Sequence, residues 1–481
     1  MTERSADRYR HPLSDRYASR AMESVFAPAF RFGTWRRLWL ALAESQQELG
    51  LDIPDEALEQ MRAHLDDIDL EGAAEYERRF RHDVMAHVHL FSDSAPAARP
   101  ILHLGATSAF VGDNTDLIQH REAMGLVRSR LVSCIRALAD FAGRYRDLPT
   151  LAYTHFQPAQ PTTVGKRATL WIQDFLLDLE DIEHRLRHLR MRGVRGTTGT
   201  QASFLQLFGG DHDKVDALDE SVCRRMGFDA TYPVSGQTYT RKVDYQFLSC
   251  LAGVAASASK MANDIRLLAH LRELEEPFEE NQIGSSAMPY KRNPMRSERV
   301  SALARHVITL SQDPANTAAT QWLERSLDDS ANRRLSTPDA YMATDAILVL
   351  VENVASGLRV NPHVVESNLA VHLPFMAMES LLMAEVAGGG DRQEIHEAIR
   401  RQALAAARRM NEGQEPDLFA HVAADASFSV RREDLDAMAR PEAFIGRAPE
   451  QVDAFLARHV APVLERYPAT GDRAAAAEVR V

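Results

Sequence analysis

The chain has 481 residues, 45% of them hydrophobic and 26% charged, with a formal net charge of −12. That length exceeds the size at which one hydrophobic core keeps growing, so two or three domains are expected. The acidic balance, without any Lys/Arg-rich tail, disfavours nucleic acid and anionic lipid as partners, and the absence of an uncharged apolar run of about 18 residues argues against a membrane span.

The opening residues, MTERSADRYRHPLSDRY, hold no apolar segment of the secretory kind. Three scattered cysteines, Cys134, Cys223 and Cys250, offer neither a disulfide framework nor zinc-ligand spacing. A cytoplasmic protein is the expectation. Residues 1–108 read as an amphipathic helical domain, with helical stretches at FRFGTWRRLWLALAESQQELG, DEALEQMRAHL and EGAAEYERRFRHDVMAHVHLFSD. A boundary falls at HLGATSAFVGDNTD (103–116), a stretch rich in Gly, Thr, Ser and Asp that reads as a loop.

Residues 109–360 then carry apolar residues stepping by three and four. One stripe is Leu117, His120, Met124, Val127, Leu131, Cys134, Leu138 and Phe141; another is Ile172, Phe175, Leu179, Ile182, Leu186 and Leu189. A third runs Phe247, Leu251, Val254, Ala258, Met261, Ile265 and Leu268, and residues 340–358 add a further member. Such spacing puts each stripe on one face of a helix, and helices of 25 to 35 residues span roughly 40 to 50 Å. They can bury their stripes only side by side, which predicts an all-α fold around a long-helix bundle, part of it buried between subunits. Strand signals are sparse, and YTHFQPAQPTT, GTTGTQASF, PVSGQTYTRK and IGSSAMPYKRNP read as loops. Residues 361–481 break into shorter pieces, predicting a C-terminal helical domain with a poorly ordered alanine-rich tail. In AGGGD no Gly-Lys-Ser/Thr follows, so Asp391 and Glu394 read as a helix cap and not as a phosphate loop.

The stretch richest in chemistry is Gly284-Ser285-Ser286-Ala287-Met288-Pro289-Tyr290-Lys291-Arg292-Asn293-Pro294. Small residues let backbone N–H groups approach an anion there, and Lys291 and Arg292 add positive charge. This stretch resembles the Gly-Ser-Ser-x-Met-Pro-x-Lys-x-Asn signature of the fumarase/aspartase superfamily. With Tyr290 and Arg292 at its variable positions, and with RHDVMAHVH, HLGATS, THFQPAQPTTVGKR, GTTGTQASF, GQTYTRK, MRSER and ERSLDDSANRR elsewhere, it is similar to the animal-type branch of the adenylosuccinate lyase family. The likeness runs from about Tyr9 to about Tyr467.

The resemblance implies a helical homotetramer whose active sites are shared between subunits, acting on small succinyl-nucleotides without metal or cofactor. The reaction implied is β-elimination of fumarate from adenylosuccinate to give AMP, and from succinylaminoimidazole-carboxamide ribotide to give the free carboxamide ribotide. Such chemistry needs a base for a weakly acidic C–H, an acid for the leaving nitrogen and a cationic cradle for the dianionic intermediate. By residue-wise match Ser285 is the base, with Lys291 facing the developing charge, and His155 is the acid. His82 is a second histidine that assists proton transfer or holds phosphate, and the sequence does not decide between the two histidines. The match also places Arg16 and Tyr17 at the nucleotide end, Arg81 and Asp83 with His82 against substrate, and Thr107 and Ser108 on a carboxylate. Gln237, Arg299, Arg325, Ser330 and Arg334 complete the cradle.

A metal reading of RHDVMAHVH fails on spacing. If the segment were one helix, His82 and His89 would stand about 10 Å apart along its axis and His82 and His87 about 140° around it, whereas zinc pairs need i, i+4. Two rival functions stay open: another fumarate-releasing lyase of the argininosuccinate type, and a catalytically silent structural protein on the same scaffold.

Overall fold

The structure is a computed structural model that describes residues 9–279 and 281–468, so the alanine-rich tail lies outside the described residues. One wide helical turn, Leu13–Tyr17, leads into α1 (Arg20–Phe26), α2 (Pro28–Glu48), α3 (Asp55–Ala63), α4 (Leu70–Phe80) and α5 (Asp83–Ser94). Pro28 opens α2, where its missing N–H costs nothing. Asp69 caps α4 by accepting from the N–H groups of Glu71 and Gly72, each at 3.0 Å. The sequence stretch covering α4 and α5 breaks in two because Arg81 adopts a left-handed conformation, φ 54°, and His82 becomes the cap of α5.

The long helix α6 (Ser108–Arg144) starts inside the stretch read as a loop. Its polar first turns are helical because their side chains find partners in the interior. Asn114 donates to the carbonyls of Phe110 and Gly193 and accepts the Gly193 N–H, while Asp113 meets Arg241. A hairpin follows, β1 (Pro149–Thr154) with β2 (Gln157–Thr163), pairing antiparallel with Thr154 opposite Gln157. Then come α7 (Val164–His188), α8 (Ala202–Leu207), α9 (His212–Arg225), α10 (Lys242–His270) and the short strand β3 (Leu274–Glu275). Next are α11 (Met295–Leu310), α12 (Asp313–Thr320), α13 (Asp329–Gly357) and β4 (Arg359–Val360), which pairs with β3. The rest is helical: α14 (Pro362–Ala370), α15 (Leu373–Ala387), α16 (Arg392–Asn411), α17 (Leu418–Ala424), α18 (Arg432–Met438), α19 (Ala448–Phe455) and α20 (Ala461–Arg466).

The fold is all-α, and α6, α7, α10, α11 and α13 lie side by side as its bundle. At 37 residues α6 is about 55 Å long. Every residue of its stripe is buried, as are Phe247 through Leu268 on α10. Gly165 lets the start of α7 lie against the end of α6: a Cβ there would stand 2.3 Å from the Ala142 carbonyl oxygen. One apolar core runs from Leu13 through the bundle and takes in Val452, Val460 and Val463. A second, built by Ala377, Met378, Leu381, Ala406, Leu418, Phe419, Val422 and Leu435, serves α15 to α18. Asp391 caps α16, accepting from the N–H groups of Gln393 and Glu394. No single helix among the described residues is long and apolar enough to cross a membrane.

One feature of the N-terminal packing makes stability depend on pH. His87 on α5 is 5% exposed, stacked on Phe32 at 3.8 Å between ring centroids and edge-on to Trp35 at 5.4 Å. Burial, reinforced by Arg36, pushes its pKa down to about 4. An unfolded histidine binds its proton near pH 6.5, so between about pH 6.5 and pH 4 the unfolded chain holds the extra proton and native stability falls with acidification. Urea unfolding at pH 8 and pH 5 is expected to differ by about 2 kcal/mol through His87 alone. His87→Phe, which keeps the stack, should shrink the difference by that amount; an unchanged pH dependence would contradict the assignment.

Candidate active site

Three helices begin at one place. The first residues of α5 (Asp83, Val84), α6 (Ser108, Ala109, Gly112) and α13 (Asp329, Ser330, Arg333) all line a cleft of about 680 Å³. Helix N-termini carry unpaired N–H groups and the positive end of the macrodipole, so their convergence favours an anion before any side chain is counted. Around them stand Arg31, Glu77, Arg81, His82, Gln237, Arg325 and Arg334. The cleft thus gathers eight of the residues singled out in the sequence: Arg81, His82, Asp83, Ser108, Gln237, Arg325, Ser330 and Arg334. Thr107 precedes Ser108 as the cap residue of α6, and its side chain makes no capping bond.

Backbone geometry sets His82 at the cleft and holds His103 close to it. His82 Nδ1 accepts the Met85 N–H at 3.3 Å, so in the neutral ring the proton sits on Nε2. Asp83 Oδ1 lies 3.7 Å from the same ring, and Asp83 Oδ2 takes Arg334 Nη2 at 3.1 Å. His103, with φ 65°, accepts the Trp39 indole N–H on Nδ1 at 2.8 Å. Burial, aided by the neighbouring His82, pushes the His103 pKa down to about 4.

Along the cleft wall runs an ionic network; the motifs GQTYTRK and ERSLDDSANRR contain Arg241, Asp329 and Arg333, but nothing in them shows that these residues pair with one another. Arg241 donates to both oxygens of Asp113, at 3.1 and 3.2 Å, and to Asp329 Oδ2 at 2.6 Å. Arg333 donates to Asp244 Oδ2 at 2.6 Å, Asp116 Oδ2 at 2.7 Å and the Tyr239 hydroxyl at 2.7 Å. Tyr239 in turn donates to Asp244 Oδ1 at 2.5 Å, and His120 bridges Asp244 and the Tyr341 hydroxyl. Burial alone would raise the Asp244 carboxyl, but Arg333, the His120 hydrogen bond and Arg241 outweigh it and hold it well below the ordinary carboxylate range. Asp329 Oδ1 is buried without a hydrogen bond among the described residues and faces Arg325 Nη2 at 3.9 Å. The signal that could have exposed this network is the run Asp113-Asn114-Thr115-Asp116, polar residues on a helix whose continuation is apolar.

The other proposed residues do not line this cleft in the single chain. Tyr17 sits under Arg299 of α11, the guanidinium carbon 5.5 Å from the ring centroid, with Arg16 at 6.0 Å. Arg16 also lines a separate cavity of about 680 Å³ with Arg10 and Arg20. Ser285 and Lys291 belong to the loop between β3 and α11. Asn293 ties the loop shut by donating to the Gly284 carbonyl at 2.9 Å, and a Cβ on Gly284 would meet the Lys291 carbonyl oxygen at 2.1 Å. Ser285 Oγ accepts the N–H groups of Met288 at 3.1 Å and Ala287 at 3.4 Å, donors suited to a hydroxyl oxygen gaining negative charge. His155 stands exposed at the tip of the β1–β2 hairpin. There His155 and Phe156 both take positive φ, 55° and 57°, the geometry of a two-residue primed turn normally given to Asn-Gly. Two non-glycine residues held so are strained, as functional positions often are.

Comparison with known proteins bears on the family of the chain. The sequence pattern of the family described as "Lyase" matches residues 40–309, and that described as "Adenylosuccinate lyase C-terminus" matches 374–455. The chain is 53% identical to the adenylosuccinate lyase of Saccharomyces cerevisiae, with 96% of each chain covered. It is 47% identical to that of Schistosoma mansoni over 96% of this chain and 97% of the relative, and 31% identical to that of Pyrococcus abyssi over 92% and 96%. Among solved structures it resembles 3-carboxy-cis,cis-muconate lactonizing enzyme from Pseudomonas putida, with TM-score 0.79, 23% identity and 94% and 98% of the two chains covered. A fumarate lyase from Mesorhizobium sp. BNC1 gives 0.78 at 24%, covering 92% and 99%; both likenesses speak for the fold alone. From the two matching family patterns and the near full-length identities, the chain belongs to the adenylosuccinate lyase family of carbon–nitrogen lyases.

Proposed function

We propose that this lyase eliminates fumarate from adenylosuccinate, giving AMP, and acts likewise on succinylaminoimidazole-carboxamide ribotide in purine nucleotide biosynthesis. The observation that carries the reading is the cleft, where three helix N-termini meet the side chains of Arg81, Arg325 and Arg334, a setting suited to a substrate with two carboxylates and a phosphate. In this reading Ser285 removes the carbon-bound proton, Lys291 faces the aci-carboxylate, and His155 protonates the departing nitrogen. His82 stands at the cleft with its Nε2 proton available.

Ser285, Lys291 and His155 lie on an exposed loop and an exposed hairpin tip outside the cleft lining. That arrangement favours sites completed by other copies in a homotetramer. Exposed apolar residues along the bundle, Leu170 and Leu177 on α7 and Leu267 on α10, supply faces for such packing. The separate core of α15–α18 favours a division into 1–108, 109–360 and 361–481, and three free cysteines suit a cytoplasmic setting.

The test is incubation of chelator-treated protein with adenylosuccinate, assaying fumarate and AMP together. Equimolar products, absent with Ser285→Ala, are expected. Folded protein that releases neither product, yet cleaves argininosuccinate, would overturn the assignment.

A further inference from the structure

We propose that Arg31 is a further substrate-binding residue of the cleft, its guanidinium taking an oxyanion of the bound molecule, either phosphate or carboxylate. The proposal rests on the functional reading above and adds a residue that no motif of the sequence singled out.

Arg31 lies on the first turn of α2 and lines the cleft with Arg81, His82 and Arg334. Four residues on, Trp35 shares its helix face, and the guanidinium carbon stands 5.4 Å from the indole ring centroid. Trp35 is 1% exposed, wedged among Phe32, Trp39 and His87, and its indole N–H has no hydrogen-bond partner among the described residues. This rigid ring fixes where Arg31 can point.

Apart from Arg81, which is exposed to solvent, the other arginines of the cleft have carboxylate partners. Arg241 and Arg333 are held by the buried network, Arg334 by Asp83, and Arg325 faces Asp329. The Arg31 side chain has no ion pair or hydrogen bond among the described residues; its backbone N–H donates to the Ala27 carbonyl. Asp116 and Asp83 lie near enough to act on it, but Asp116 is taken by Arg333 and Asp83 by Arg334. A mere counter-charge would have closed on one of them. Instead the fold keeps a partly desolvated cation open toward the cleft, an arrangement that costs stability until an anion arrives.

Arg31→Met and Arg31→Lys test it, with adenylosuccinate as substrate and AMP, inorganic phosphate and fumarate as inhibitors. Arg31→Met is expected to raise KM about 10- to 100-fold with the melting temperature kept or raised, and Arg31→Lys to recover part of the affinity. Weaker inhibition by AMP and phosphate with fumarate unchanged assigns the phosphate; the reverse assigns a carboxylate. KM and all three inhibition constants within twofold of wild type in folded Arg31→Met overturn the proposal, all the more if the melting temperature drops. Wild-type protein that fails to turn over adenylosuccinate sinks the functional reading instead. Arg31 is then judged by calorimetric binding of the same three probes, where equal affinities in wild type and variant overturn it.

Discussion

Ser285→Ala is expected to lower turnover of adenylosuccinate about a thousandfold while KM moves by less than about threefold. The reason lies in the loop. A serine hydroxyl is a poor base, and here its oxygen faces the N–H groups of Met288 and Ala287, with Lys291 six residues on. Those donors strengthen as the hydroxyl loses its proton, so deleting the oxygen removes an interaction made in the transition state and leaves the cleft's hold on substrate untouched. Retention of more than about a tenth of wild-type turnover would move the base elsewhere.

The same variant reports on assembly. Mixed with His155→Ala under conditions that exchange subunits, it should regain activity at up to about one site in four, because a site that draws its serine and its histidine from different copies is whole when each donor is intact. Mixed oligomers without recovery would place both groups in one subunit.

Arg333→Met is the second large effect, expected to cost about 3–5 kcal/mol of stability, seen as a lowered melting temperature. Arg333 is the strongest counter-charge to Asp244, pairs with Asp116 and donates to the Tyr239 hydroxyl, so its removal leaves buried charge poorly compensated. Arg333→Met combined with Asp244→Asn should cost less than the two single changes added together. Its neighbour Arg334 contrasts with it. Its side chain is 54% exposed and bonds Asp83 across the cleft, so Arg334→Ala should leave stability within about 0.5 kcal/mol and raise KM instead. Asp244 sets the acid limit of the network. Its folded pKa is depressed, so its contribution is fully present above about pH 4 and is lost only as pH falls through the folded value. Loss of stability in milder acid belongs to His87 and His103.

The bundle was legible because its stripes obey one rule: Leu117 to Phe141 and Phe247 to Leu268 step at helical spacing, and burial follows spacing. The hairpin bearing His155 was not. Pro158 and Pro161 argue against a strand, and a His-Phe turn lacks the Gly or Asn that marks positive φ. The start of α6 was read as a loop for a related reason. Gly112, Asp113, Asn114 and Thr115 have loop-like composition, and only partners far along the chain, Gly193 and Arg241, make helix the better state. Of the site, family motifs pointed to residues that would touch substrate. Arg31 and Asp244 stayed hidden, because a charged residue inside an amphipathic helix looks like surface until its partner is placed; Arg241 and Arg333 lie in quoted motifs, but their partners did not show there.

The meeting of α5, α6 and α13 at the cleft bears on how the site can change. Part of its positive potential resides in peptide groups, which carry no ionisable proton and belong to no side chain. That share does not titrate, so it persists at any pH the helices survive, and no single substitution deletes it. Arginines can be exchanged around such a fixed electrode to suit anions of different shape, and the pocket remains a place where negative charge is welcome.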